Sequence, residues 1–315
     1  MIYKCDIFVY SNLMLVKIMP VIIHIGYPKT ATTWFQEVYF PSISNYHFES
    51  FREVNKVFLN SDCLAFNSDK AKGELLRKSI NGNLLLSSEF LTTGINFGWH
   101  HGYYSAGVAQ KIHATFPDAT IIIFIRRQQS LICSAYQQYI KNGGTYGFKR
   151  WLYSGEVFSP EHLCFDKLID YYDKLFSIDQ VKVYLYEEFK EDNISFLSKM
   201  NKELGFQVDF NDITFKPLNM RLRNLIVPMM LFVNLFYKKP VGLKRYIIHI
   251  PGMTSMGRAI FKYLNPLSIF GNYLSESSLL KVSDNYKLFC YYSKSNKLLA
   301  NRVGEEKLKH YGYYL

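Results

Sequence analysis

The sequence predicts a doubly wound α/β fold, a parallel sheet with helices on both sides. Two observations predict it. Short apolar runs rich in branched residues recur at VIIHIGY (21–27), NLLLSSE (83–89), TIIIFIRR (120–127) and VKVYLYEE (181–188). Continuous rather than alternating apolarity suits strands buried on both faces of a parallel sheet. Longer segments of helical character separate the runs, and strands alternating with helices imply right-handed crossovers. In such sheets ligands gather at the carboxyl ends of the strands. The residues that follow each run are therefore the candidates for chemistry.

The chain has 315 residues, 49% hydrophobic and 20% charged, and can bury a core without disulfide or metal staples. That excludes disorder, collagen-like sequence and a mini-protein scaffold. Its net charge of +11 is unevenly placed: residues 216–315 carry 16 basic against 4 acidic residues, whereas residues 1–215 carry 21 against 22. A basic patch of this kind suits an anionic partner such as nucleic acid, acidic polysaccharide or phospholipid headgroups, or is a solvated surface with no specific ligand. The five cysteines (Cys5, Cys63, Cys133, Cys164, Cys290) are scattered, with no C-x-x-C pair and no Cys/His cluster at zinc spacing. Reduced thiols, no metal and a cytoplasmic location are the expectation. The first twenty residues are apolar but contain Asp6 and Lys17 and lack a signal-peptide cleavage pattern. The greasiest stretch, LIVPMMLFVNLFY (225–237), is shorter than the roughly 18 residues a span needs and is interrupted by Pro228 and Asn234.

Directly after the first run comes Gly26-Tyr27-Pro28-Lys29-Thr30-Ala31-Thr32-Thr33-Trp34, then a segment able to continue as helix. A strand, a small-residue and hydroxyl-rich turn and a helix together aim backbone N–H groups and a helix dipole at an anion. The loop is not a standard nucleotide-hydrolysing one. In G-x-x-x-x-G-K-[ST] the lysine is seventh, whereas counting from Gly26 the sixth and seventh residues are Ala31 and Thr32 and the lysine is fourth. One cation and three threonine hydroxyls suit a phosphosulfate better than a metal-bound triphosphate. The plainer alternative is a strand-to-helix turn with hydroxyl caps.

The third run ends on Arg126 and Arg127, and Ser134 follows on the next segment. Adjacent arginines at the mouth of a buried strand are costly unless they meet an anion, and the Ser134 hydroxyl can complete a phosphate site; an arginine pair bridging to surface acids is the alternative. The second run ends at Ser87, Ser88 and Glu89. A carboxylate at the rim of an anion cleft is a candidate general base, or a cap for the next helix. His100 and His101 are its rivals as base.

HIGYPKTATTW (24–34) resembles the 5′-phosphosulfate-binding loop of sulfotransferases, usually Y-P-K-[ST]-G-T-T-W, with Ala31 where glycine is commoner. The eight-residue spacing of Arg126 and Ser134 is similar to that family's 3′-phosphate motif. VKVYLYEEFKED (181–192) resembles its last core strand, with Glu188 in place of the usual aspartate. The closing SNKLLANRVGEEKLKHYGYY, with Asn296 and Leu299, resembles its terminal helix. The resemblance covers about residues 20–215 and 280–315. It implies a single P-loop-like domain over 1–315 with a helical insertion at about 216–279. It also implies metal-free transfer of a sulfuryl group from 3′-phosphoadenosine 5′-phosphosulfate to a hydroxyl, on a carbohydrate or glycolipid acceptor. By the same resemblance Lys29 contacts the sulfuryl group and the leaving phosphate oxygen, and Thr30, Ala31, Thr32 and Thr33 form the phosphosulfate loop. Trp34 and Tyr186 lie near the adenine, and Arg126, Arg127 and Ser134 serve the 3′-phosphate. The resemblance does not settle the base, because the family uses glutamate or histidine; Glu89 is the candidate from its place after the second run, with His100 or His101 as alternatives.

The insertion fits no motif. Arg221, Arg223, Lys238, Lys239, Lys244, Arg245, Arg258 and Lys262 flank apolar runs with little acid among them. That composition suits a peripheral contact with an anionic membrane, or a helical cap over the cleft with solvated lysines. Two other functions remain open at this point: a kinase using ATP, and a basic nucleic-acid- or membrane-binding protein without catalysis. Against nucleic acid, Tyr237, Tyr246 and Tyr263 stand among residues too aliphatic for a base-stacking platform.

Overall fold

The computed structural model describes residues 20–92, 104–215, 220–238 and 246–315. Its centre is a five-stranded sheet in the order β2-β3-β1-β4-β5. The strands are β1 Val21–His24, β2 His47–Glu49, β3 Leu84–Ser87, β4 Thr120–Ile125 and β5 Val181–Leu185, and every pairing is parallel. The four apolar runs are thus the four strands β1, β3, β4 and β5, flanked by helices as the α/β pattern predicts. The edge strand β2 was not legible: it has three residues, two of them polar, and all are partly exposed.

Because successive side chains on a strand point to opposite faces, one sheet feeds two cores. Ile23, Leu84, Leu86, Ile121, Ile123 and Val181 turn to the face covered by the helices Ser105–Thr115, Gln128–Lys141, Phe165–Phe176 and Val282–Val303. Ile22, Leu85, Ile122, Phe124 and Tyr184 turn to the other, where Trp34, Phe35, Tyr39 and Phe40 meet Phe196 and Met200 of the helix Asn193–Leu204. The register brings Ile23 opposite Leu86 on one side and Ile121 on the other. The carboxyl ends of β1, β3 and β4 therefore finish side by side.

Two polar ties attach the rest of the chain to this frame. Buried Asn296 accepts from Gln128 Nε2 at 2.8 Å and donates to the Tyr314 carbonyl at 2.9 Å, which fastens the terminal residues to the start of the helix after β4. Buried Asn234 donates to the carbonyls of Ile140 and Gly144 at 2.9 and 2.7 Å. These bonds tie the helix Ile226–Asn234 to the end of the helix Gln128–Lys141 and the turn that follows it. The helix Ile226–Asn234 accommodates Pro228 in its first turn, where no intrahelical N–H is lost. Leu222, Ile226 and Met230 are buried in the main core, while Phe232 (61% exposed), Ile247 (71%) and Ile269 (77%) face outward. Among the described residues no helix is long and apolar enough to cross a membrane.

Candidate active site

A cleft of about 1080 Å³ opens at the carboxyl ends of β1, β3 and β4. Its floor is the loop after β1. The ladder continues past the strand, with Ile25 and Tyr27 N–H donating to the Ile122 and Phe124 carbonyls at 2.9 and 3.1 Å, and then the chain turns sharply. Lys29 and Ala31 both adopt left-handed backbone, with φ of 73° and 65°. Non-glycine residues are found there at a cost of about 1–3 kcal/mol unless their surroundings hold them. Such a curl makes consecutive N–H groups converge on an anion. Ala31 thus occupies the conformation that favours glycine.

Several contacts hold the curl. The Thr30 hydroxyl donates to the Tyr27 carbonyl at 2.5 Å, and Arg126 donates from a terminal nitrogen to the Lys29 carbonyl at 2.9 Å. A side chain at Gly26 would place its Cβ 2.7 Å from His24 Nε2 and 3.0 Å from the Phe124 backbone, so only glycine allows β1 to turn here.

Of the residues marked from sequence, Lys29, Ala31, Thr32, Thr33, Trp34, Glu89, Arg126, Arg127, Ser134 and Tyr186 all line this one cleft. Thr30 is placed differently from its two neighbours: it is fully buried and its hydroxyl is spent inside the loop. His100 and His101 lie outside the described residues. Trp34 stacks between Tyr39 and Phe215 and donates to the Thr214 carbonyl at 2.8 Å. Tyr186 begins the helix Tyr186–Glu191, and the Arg126 guanidinium lies 4.5 Å over its ring. Glu188, at the position of the departure in the strand motif, pairs with Lys307 at 2.8 Å.

The helix Gln128–Lys141 forms one wall. Arg127, Ser130, Ser134, Gln137, Gln138 and Lys141 recur at three- and four-residue intervals and line the cleft together. Arg126 donates to Ser130 Oγ at 2.7 Å, and Lys29 Nζ donates to Gln138 Oε1 at 3.2 Å. Gln138 and Lys141 carry a signal the sequence reading passed over, helical spacing from Ser134. Across the cleft, Arg127 pairs with Glu276 at 2.7 Å.

Among the described residues, six basic side chains line the cleft (Lys29, Arg126, Arg127, Lys141, Lys190, Arg221) against two carboxylates, Glu89 and Glu276. Burial lowers the Lys29 pKa, the Arg126 charge lowers it further, and Glu89 opposes both. Burial also draws Arg126 down, with Tyr186 and Glu187 pulling the other way. A cleft that crowds cations at a cost to each is one built to receive an anion.

Glu89 has its own support. Gln36 Nε2 donates to Glu89 Oε2 at 2.9 Å and to Ser87 Oγ at 3.0 Å, and Ser87 Oγ lies 2.7 Å from His24 Nδ1. Ser87 Oγ and His24 Nδ1 share one hydrogen between them, with the imidazole neutral. Complete burial agrees, lowering the His24 pKa to about 3. Gln36 was missed from sequence because nothing near it marks it as polar machinery.

No family model and no curated protein matches the chain. Among solved structures, it is similar to a sulfotransferase from Alicyclobacillus acidocaldarius at 19% identity and a TM-score of 0.45, over 64% of this chain and 86% of that one. It is also similar to the mouse sulfotransferase SULT7A1 complexed with PAP, at 15% identity and a TM-score of 0.44, over 89% of this chain and 88% of that one. Likenesses this distant carry no weight for function, which has to be argued from the cleft.

Proposed function

We propose that the chain is a sulfotransferase, moving a sulfuryl group from 3′-phosphoadenosine 5′-phosphosulfate to a hydroxyl. The observation that carries the reading is Lys29: a single cation on a left-handed, glycine-entered loop, held by Gln138 and facing Glu89's side of the same cleft. The donor set supports the fit. Lys29, Thr32 and Thr33 sit at the helix start where a phosphosulfate belongs, and Arg126, Arg127, Ser130 and Ser134 supply a second anion site along the wall. Trp34 and Tyr186 line the same cleft beside these groups.

In the proposed step the acceptor oxygen forms a bond to sulfur as the bond from sulfur to the 5′-phosphate oxygen breaks. The bonding electron pair leaves on that phosphate oxygen, where Lys29 and the loop N–H groups offset the charge. Glu89 takes the hydroxyl proton. Gln36 occupies Oε2, which leaves Oε1 to receive it. On this reading residues 1–315 form one domain carrying an insertion at about 216–279. The acceptor is a carbohydrate or glycolipid, and the enzyme works in the cytoplasm.

The test is a thermal-shift comparison of the phosphosulfate donor, its desulfated product, ATP with magnesium, and an oligonucleotide. Stabilisation by the first two above the others is expected. Stabilisation by ATP with magnesium alone would make the chain a kinase, and by oligonucleotide alone a nucleic-acid binder.

A peripheral membrane contact is favoured by one further observation: Phe232, Ile247 and Ile269 are exposed on the same segment as Lys238, Arg258 and Lys262. Flotation with anionic liposomes at physiological salt is expected to carry the protein upward, and its absence removes the idea.

A further inference from the structure

Three basic groups lining the cleft, Lys141, Lys190 and Arg221, are left over once the proposed donor is accounted for, and Lys141 stands on the same wall as the donor's own partners. Lys29 faces the transferred group, and Arg126, Ser130 and Ser134 lie toward the start of the helix Gln128–Lys141. Lys141 lies at the opposite end. Its nearest marker is Gln138, which holds Lys29 Nζ at 3.2 Å, and residues three apart on a helix stand about 5–6 Å apart at Cβ. Passing along the wall from Ser134, a ligand meets Lys29 first and Lys141 one turn later.

The ammonium of Lys141 is fixed rather than free. It donates to the Met220 carbonyl and lies 4.5 Å over the Phe261 ring, both from the segment after residue 215. Among the described residues no carboxylate pairs with it. Burial, and then the Lys29 charge, lower its pKa to about 8. A half-buried ammonium with three donors and one protein acceptor has hydrogen-bonding capacity left for a ligand. Placed beside a second cation, it is costly to the free protein and favourable to an anion.

We infer that Lys141 forms an anion subsite on the acceptor side of the cleft, so that the acceptor is a hydroxyl compound carrying a carboxylate or phosphate about one sugar ring from the reacting oxygen. This rests on the proposed direction of transfer at Lys29. It also gives the segment after residue 215 a part in the site, since Met220 and Phe261 aim the ammonium.

The test is calorimetric titration of the full chain, loaded with 3′-phosphoadenosine 5′-phosphate, with D-glucuronate, D-glucose 6-phosphate and D-glucose. At least one anion is expected to bind about ten- to a hundredfold more tightly than neutral glucose, the worth of a hydrogen bond to a charged group. Which anion does so separates carboxylate from phosphate. Lys141→Met is expected to erase the preference and Lys141→Arg to keep it. The Met variant removes an uncompensated charge, so it should melt no lower than the wild type. An undiminished preference in Lys141→Met, or no preference for either anion in the wild type, overturns the subsite. Failure of the nucleotide product to bind would overturn the donor reading instead, and the wild-type and Lys141→Met comparison on the unloaded chain would still decide Lys141.

Discussion

The side-chain amide of Gln36 holds Glu89, donating to its Oε2 at 2.9 Å while its other hydrogen goes to Ser87 Oγ at 3.0 Å. Gln36 is therefore a positioning residue for the proposed base. Gln36→Leu is expected to lower turnover about tenfold or more, the scale of one hydrogen bond to a charged group, with nucleotide affinity unchanged. Unchanged turnover would remove Gln36 from the site.

Lys29→Ala should lower transfer from labelled donor on the order of 10²–10³-fold, as loss of one preorganised charge donor does, with the far-ultraviolet circular dichroism of the wild type. Retained activity would sink the assignment. Glu89→Gln should depress turnover much more than donor affinity. Turnover that stays level would pass the base role to His100 or His101.

Glu276 competes for Arg127 across the cleft mouth, at 2.7 Å. Half-exposed pairs of this kind are worth about 0.2–1 kcal/mol. Glu276→Gln should therefore tighten binding of 3′-phosphoadenosine 5′-phosphate by up to about fivefold in calorimetry. Weaker binding would mean that Glu276 orients Arg127 for the nucleotide instead of competing with it.

His24 sets a pH dependence of stability. Its folded pKa is about 3 against 6.5 for the free side chain, because burial penalises the imidazolium. Between those values the unfolded chain binds the proton and the folded chain does not, so stability is lost as pH falls through that window. The loss attributable to this group is about 2 kcal/mol by pH 5. Urea unfolding at pH 7 and pH 5 should show a drop of that order that is absent in His24→Gln. An equal drop in the variant would assign it to other groups.

Much of the site was readable because the chemistry sits where an α/β chain must put it. Each of β1, β3 and β4 is marked by its own apolar run, and parallel pairing alone brings Lys29, Glu89 and Arg126 to one edge. Local order is enough for this, since a strand buried on both faces and the turn that ends it are both written in contiguous residues. β2 failed the same reading because His47–Glu49 is too short and too polar to carry a period.

What the sequence determined by itself was the parallel α/β sheet and the loop and arginine residues at its carboxyl edge. Tertiary structure alone decided the partners of those residues. The Lys29 bond to Gln138, the Gln36 bond to Glu89, the Glu276 bond to Arg127 and the Met220 carbonyl over Lys141 join residues 53 to 149 positions apart. It also turned the Thr30 hydroxyl inward, away from the cleft its neighbours face. Such contacts depend on where two distant polar atoms come to rest after both cores have packed. No local pattern encodes that distance, whereas the strand period is encoded residue by residue.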